Sequence, residues 1–269
     1  MARVEAFLAE QVAVRPDALA LTDSIGTAWC FADLDRASDA LADVLRGAGV
    51  AANDRVLMLS ENCAAAAAAL FASWKLDAVI IPVNARQTEA EVKRIMDHAT
   101  PAAVLMTTTV SKDAQAHALR MGATEQTGAF GTLHIAALRS NPDADLHDVA
   151  TLLYTTGTTG DPKGVMLTHD NMCFGGIASS KLRKMTADDV VYGVLPLTHV
   201  FGLVSVITGA CYSGATVQQE ARFSAKGLCD RAARCTADAC TGDAIQQGTG
   251  VERTRLAQLA LCIFGGRTA

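Results

Sequence analysis

The chain has 269 residues, enough for one large or two ordinary domains with real cores. Half of them are hydrophobic, only 5% are aromatic, and the net charge is −5. That profile fits a soluble α/β protein rich in small residues. It argues against a nucleic-acid-binding surface, for which no basic run exists either.

Eight cysteines stand at 30, 63, 173, 211, 229, 235, 240 and 262. None forms a C-x-x-C, and the spacing of Cys229, Cys235 and Cys240 fits no common zinc pattern, so free thiols are expected. Met1 to Glu10 lacks the charged start and apolar core of a secretory signal, and a reducing, cytoplasmic setting is expected. The Ala-rich run Cys63 to Trp74 lies between Glu61 and Lys75; it is too short for a membrane span and reads as a buried helix.

In chain order, Val4 to Val14 reads as a helix ending before Pro16. Ala18 to Thr22 and Thr27 to Phe31 read as a hairpin around Ser24-Ile25-Gly26. Leu34, Ala37, Leu41 and Leu45 recur at helical spacing, with Gly47 as the stop. Arg55 to Leu59 reads as a buried strand and Asn62 to Trp74 as a helix. Ala78 to Val83, Glu89 to His98, Ala102 to Met106 and Lys112 to Met121 continue as strand, helix, strand and helix. Strands alternating with helices in this rhythm imply parallel sheet flanked by helices on both faces. Ser140 to His147 is polar and contains Pro142; it reads as an exposed connection.

Val149 to Tyr154 is an apolar run that reads as a buried strand, and Val165 to Leu167 as a second. Between them lies a loop of threonine and glycine with Pro162 and Lys163. Gly157, Gly160 and Gly164 permit backbone angles closed to other residues and let the chain approach a ligand. Thr155, Thr156, Thr158 and Thr159 bring hydroxyls, and Lys163 a point charge. Donors, flexibility and one cation together suit the oxygens of a polyphosphate. A generic glycine-rich turn alone reads first as a mobile surface hairpin. The loop is not the Walker type, which needs Gly-Lys-Ser/Thr leading into a helix.

Beyond the loop, His169 to Lys181 reads as a helix with Asp170 as a cap. Val190 to Leu195 reads as a strand that ends at Pro196, with Thr198 and His199 at its tip. In a parallel sheet that is where ligands bind. An apolar helix from Gly202 to Tyr212, a strand Gly214 to Gln218 and a helix Phe223 to Ala233 follow. Leu259 to Gly266 reads as a last strand and turn.

The string from Tyr154 to Val165 resembles the signature loop of the AMP-forming adenylating enzymes: acyl-CoA synthetases, luciferases and peptide-synthetase adenylation domains. Two other stretches resemble the same family. Ile81 to Ala99 is similar to its Val-Pro-x-Asn-x-Arg segment and the helix after it. Leu195 to Leu203 is similar to its Leu-Pro-x-x-His-x-x-Gly-Leu motif. Lys75 departs from the family in being followed by Leu76-Asp77 in place of small residues, and Cys235 to Gly250 does not match.

The resemblance implies the fold of the N-terminal domain of acyl-CoA synthetases, with a subdomain junction near residues 140–148. It implies an ATP-dependent acid–CoA ligase for a fatty or aryl acid, with ATP, Mg2+ and CoA as cofactors and a carboxylic acid as substrate. ATP would be held by Thr155, Thr156, Gly157, Thr158, Thr159, Gly160 and Lys163, with Gly265 and Gly266 beside the adenine. His199 would border the acyl-adenylate pocket as the catalytic residue; no residue is assigned to the metal. The family's Tyr-Gly-x-Thr-Glu segment, with its magnesium ligand, the ribose-binding aspartate and the lid lysine are not found in these 269 residues. The expectation is therefore an N-terminal portion without the C-terminal lid, inactive alone. The alternative is a decayed nucleotide-binding protein, or one half of a split ligase whose remainder is a separate polypeptide.

Overall fold

The computed structural model describes residues 2–155, 162–222 and 237–238. Helix α1 (Val4–Val14) opens the chain and is followed by the hairpin β1 (Leu19–Thr22) and β2 (Ala28–Cys30). Helix α2 (Phe31–Gly47) starts at a capping box in which the Cys30 thiol accepts the Asp33 N–H and the Asp33 carboxylate accepts the Cys30 N–H. It runs through Gly47, and the reversal falls instead at Gly49, whose φ of 90° suits glycine.

The alternation then builds β3 (Arg55–Ser60), α3 (Ala64–Lys75), β4 (Val79–Asn84), α4 (Glu89–Ala99), β5 (Ala103–Met106) and α5 (Lys112–Met121). Asp77 occupies the tight turn between α3 and β4 with φ 56°, a left-handed position that Asp tolerates better than most residues. Its carboxylate pairs with Arg3. An antiparallel hairpin that the sequence did not announce follows, β6 (Thr124–Gly128) and β7 (Gly131–Ala137). The polar connection after it is anchored by Asp54, whose carboxylate accepts from Ser140 Oγ and Asn141 N, both at 2.7 Å. Arg55 donates to the Asn141 carbonyl.

Next come β8 (Val149–Thr155), β9 (Lys163–Thr168) and α6 (His169–Arg183). Asp170 does not cap α6: Thr168 is the cap, in a reciprocal pair with Asn171, and Asp170 instead accepts the Ala2 N–H. The remaining described elements are β10 (Val190–Gly193), a π-helical segment Phe201–Thr208, α7 (Gly209–Ser213), β11 (Thr216–Gln219) and β12 (Ala237–Asp238). The helix expected over 202–212 is thus π-wound for most of its length, with Thr208 Oγ1 donating to the Leu203 carbonyl across the wide turn.

Two sheets result. The seven-stranded sheet has the order β6-β7-β5-β3-β4-β8-β9, and the five-stranded one β12-β10-β11-β1-β2. Strands β5, β3, β4 and β8 run parallel, as do β12, β10, β11 and β1; antiparallel strands β7 and β9 flank the first set and β2 the second. The expected parallel sheets flanked by helices are present. Along β3, Val56 and Met58 join one hydrophobic cluster while Leu57 and Leu59 join another, as a strand buried on both faces requires. The larger cluster is centred on α3, buried from Ala64 to Trp74; Trp74 Nε1 donates to the Ala150 carbonyl of β8 at 3.0 Å. The second lies under α4 and α5. Among the described residues no helix is long and apolar enough to cross a membrane.

Candidate functional site

The glycine- and threonine-rich stretch lies between two antiparallel strands. Strands β8 and β9 pair with Tyr154 opposite Gly164 and Thr155 opposite Lys163. This register brings the two ends of the loop together at the sheet edge. Lys163 is exposed, and among the described residues it has no carboxylate partner. A Cβ at Gly164 would meet the Tyr154 ring at 3.3 Å, so a glycine allows the strand to sit on that ring. The Tyr154 hydroxyl lies 2.7 Å from His98 Nδ1, with the rings edge to face. Burial pushes the Tyr154 phenol up, which keeps it protonated at neutral pH. Thr155 ends β8; Thr156, Gly157, Thr158, Thr159, Gly160, Gly265 and Gly266 fall outside the described residues.

His199 lies on the turn that links β10 to the π-helical segment. It is exposed, and the turn around it is closed by the His199 N–H on the Pro196 carbonyl and the Leu203 N–H on the His199 carbonyl, both at 3.0 Å. The Phe201 N–H donates to His199 Nδ1 at 3.2 Å. Nδ1 is thereby an acceptor, so the neutral ring carries its proton on Nε2 and presents it outward as a donor. Gly202 is required here: a Cβ would lie 2.2 Å from the Pro196 oxygen and 2.7 Å from that of Leu195.

Two residues at the end of β3 complete the region, and neither was singled out from the sequence. The buried Asn62 amide donates to the carbonyls of Gly193 (3.1 Å) and Leu195 (2.8 Å), and its oxygen accepts the Leu197 N–H (2.9 Å). The Glu61 side chain, 1% exposed, faces Arg222 at 3.0 Å and Arg86 at 3.5 Å; Arg222 also reaches Asp113. Asp23, at the end of β1, accepts the Ala64 N–H at the start of α3. The C-terminal ends of parallel strands from both sheets therefore meet at residues 61–64. Such edges are where open α/β sheets bind ligands. Lys163 belongs to the seven-stranded sheet and His199 follows a strand of the five-stranded one; helix α6 joins them in the chain, and no hydrogen bond connects their side chains.

Three described thiols are held back from reaction by burial. Burial pushes the thiols of Cys63 and Cys173 up to about 12 and about 11, and Cys211 higher still, so all three stay protonated. Cys229, Cys235, Cys240 and Cys262 fall outside the described residues. Among the described residues, no group of three or more His, Cys, Asp and Glu is placed to hold a metal ion. Magnesium accompanying a nucleotide needs only one or two carboxylates besides the phosphates.

Residues 8–241 match the family of AMP-binding enzymes. A feruloyl-CoA synthase from Amycolatopsis sp. is 35% identical over 208 residues, covering 74% of this chain and 40% of that protein. The 4-coumarate–CoA ligase 3 of Oryza sativa subsp. japonica is 31% identical over 218 residues, covering 76% and 39%. Among solved structures, ATP-bound MatB from Rhodopseudomonas palustris superposes with a TM-score of 0.76 at 25% identity, covering 94% of this chain and 53% of that one. The chain spans about 40% of the length of the curated relatives it matches.

Proposed function

The chain belongs to the AMP-binding enzyme family, and from that premise we propose that it carries the nucleotide hairpin and part of the acid pocket of an ATP-dependent acid–CoA ligase acting on an aryl or fatty acid. In this reading the Thr155–Lys163 loop holds the terminal phosphates of ATP, with Lys163 neutralising their charge. The carboxylate attacks the α-phosphorus in line, and pyrophosphate leaves. The acyl-adenylate then loses AMP to the CoA thiol, giving the thioester. Two anions must meet in the first step, so positioning and charge neutralisation supply the catalysis. His199, with Nε2–H facing outward, would donate to an oxygen of the acid or its adenylate. Magnesium would supply further charge neutralisation on the phosphates; no described residue is assigned to it.

The observation that carries the reading is the register of the hairpin, which sets the exposed Lys163, without an ion-pair partner among the described residues, opposite Thr155 at the mouth of the loop. ATP-bound MatB, with the same fold over nearly the whole of this chain, supports the use of ATP. The aryl preference draws on relatives named for feruloyl and coumarate substrates. ATP–pyrophosphate exchange with ferulate, 4-coumarate, indoleacetate and a medium-chain fatty acid tests it. Exchange stimulated by one of these acids is the expected result.

The alternative reading is nucleotide binding by this chain without turnover. A soluble, folded preparation that binds ATP but shows no exchange with any acid would select it. Failure to bind ATP would overturn both.

A further inference from the structure

We infer that Asn62 is a positioning residue: it fixes the turn that presents Thr198 and His199 and thereby sets the geometry of the acid pocket. The inference rests on the reading of His199 given above. Residues 194–199 belong to no strand or helix, yet the turn must hold one shape if His199 is to face a ligand consistently. Its internal hydrogen bonds close the part from Pro196 onward. The part before it, Gly193 to Leu197, is held from outside by one side chain. Asn62 uses both amide hydrogens and its oxygen on three backbone groups there, from a position only 4% exposed.

The chemistry of an amide is needed for this. A carboxylate at position 62 could still accept the Leu197 N–H but would face two carbonyl oxygens with no hydrogen to offer. An aliphatic residue would leave the Leu195 carbonyl and the Leu197 N–H without this partner. The Gly193 carbonyl keeps a second donor, the Glu220 N–H at 3.1 Å. The strand end is therefore held twice, and the turn beyond it depends on Asn62. Gly202 packs closely on the Leu195 carbonyl, which Asn62 also holds, and on that of Pro196. The turn is clamped between a side chain at the end of the seven-stranded sheet and the first turn of the π-helical segment.

Amide exchange on the full chain, with acid binding alongside, tests this. In the unaltered protein the Leu197 N–H should exchange at least about a hundredfold more slowly than in a free peptide, as a buried bond to a side chain demands. In Asn62→Asp and Asn62→Ala, peptides covering 193–203 should exchange about tenfold faster or more, while those covering β3 to β5 stay as they were. Affinity for ferulate or 4-coumarate, by equilibrium dialysis, should fall about tenfold while affinity for ATP holds, and His199→Ala should show the same split. A Leu197 N–H that exchanges at the free-peptide rate, unchanged exchange over 193–203 in the variants, or a uniform rise across the chain would overturn the role of Asn62. Faster exchange in the turn with acid affinity unmoved in both the Asn62 and His199 variants would instead sink the reading of His199, leaving Asn62 as the anchor of a turn that binds no acid. Should the aspartate and alanine variants fail to fold, the exchange rate of Leu197 in the unaltered chain still decides the clamp.

Discussion

Lys163 and Gly202 show how much one residue can decide here. Lys163 sits exposed and, among the described residues, unpaired at the first position of β9. If it neutralises the terminal phosphates, Lys163→Ala removes a charged hydrogen bond of about 1.5–3 kcal/mol from ATP and nothing from AMP. ATP affinity should fall roughly ten- to a hundredfold, with AMP affinity held, so that the two converge. Equal losses for both nucleotides in titration calorimetry would contradict the assignment. Gly202→Ala makes a sharper structural test. In a helical segment alanine is ordinarily worth up to about 1 kcal/mol more than glycine. Here its Cβ would be driven to 2.2 Å from a backbone oxygen that is itself part of a closed turn. The steric term should win and lower stability by about 1–3 kcal/mol, read as a lower urea midpoint; an unchanged or higher midpoint would refute the close approach.

At the scale of elements, α1 docks on the start of α6 through a buried histidine. The Val4 N–H donates to His169 Nδ1 at 3.3 Å, and the Glu5 carboxylate lies 3.6 Å from the same nitrogen. Burial lowers the pKa of His169, and the Arg3 guanidinium adds to this; the carboxylates of Glu5, Asp77 and Asp148 oppose them without reversing the direction. Unfolded, the imidazole takes its proton near pH 6.5; folded, it does so only at lower pH. The neutral ring's contribution is thus whole above about pH 6.5 and is lost as pH falls through the folded value. The urea midpoint should drop between about pH 7.5 and 5.5, and His169→Asn should flatten that part of the slope; an unaltered slope in the variant would show that another group sets it. Elements such as α1 and α5 were legible to the residue: Pro16 lies just beyond the end of α1, and α5 runs from a Ser111 cap to Gly122. The hairpin β6–β7 was not, since Thr124–Gly128 is polar along its whole length and gains its pairing only at the sheet edge. The π-winding after His199 leaves no trace in an apolar run. Lys163 and His199 could be proposed from the sequence because their motifs are contiguous strings. Asn62 was invisible for the opposite reason: its partners stand 131 to 135 residues away.

For the whole molecule, the site depends on how two sheets are held together, and α3 is the helix between them. Its alanines, buried from Ala64 to Ala69, let the larger core close tightly, and the residues just before it, Glu61 and Asn62, meet both sheets' strand ends. Packing around α3 is not uniform. A cavity of about 20 Å³ lies beside it, lined by Ala20, Leu21, Phe31, Ala67, Ile207 and Val217 among others. Its walls are apolar, so it should stay dry and can accept added methyl groups. Ala67 faces it; Ala68, equally buried, does not. Valine at either position carries the same helix-propensity cost of roughly 0.5 kcal/mol, so the difference between them isolates the space available. Ala68→Val should lose a further 1–3 kcal/mol, roughly, from overpacking, whereas Ala67→Val should stay within about 1 kcal/mol of the unaltered chain. Equal losses in denaturant unfolding would mean that the core relaxes around α3 as a unit. In that case the spacing of the two sheets, and with it the relation of Asn62 to the His199 turn, would be set by elements other than this helix.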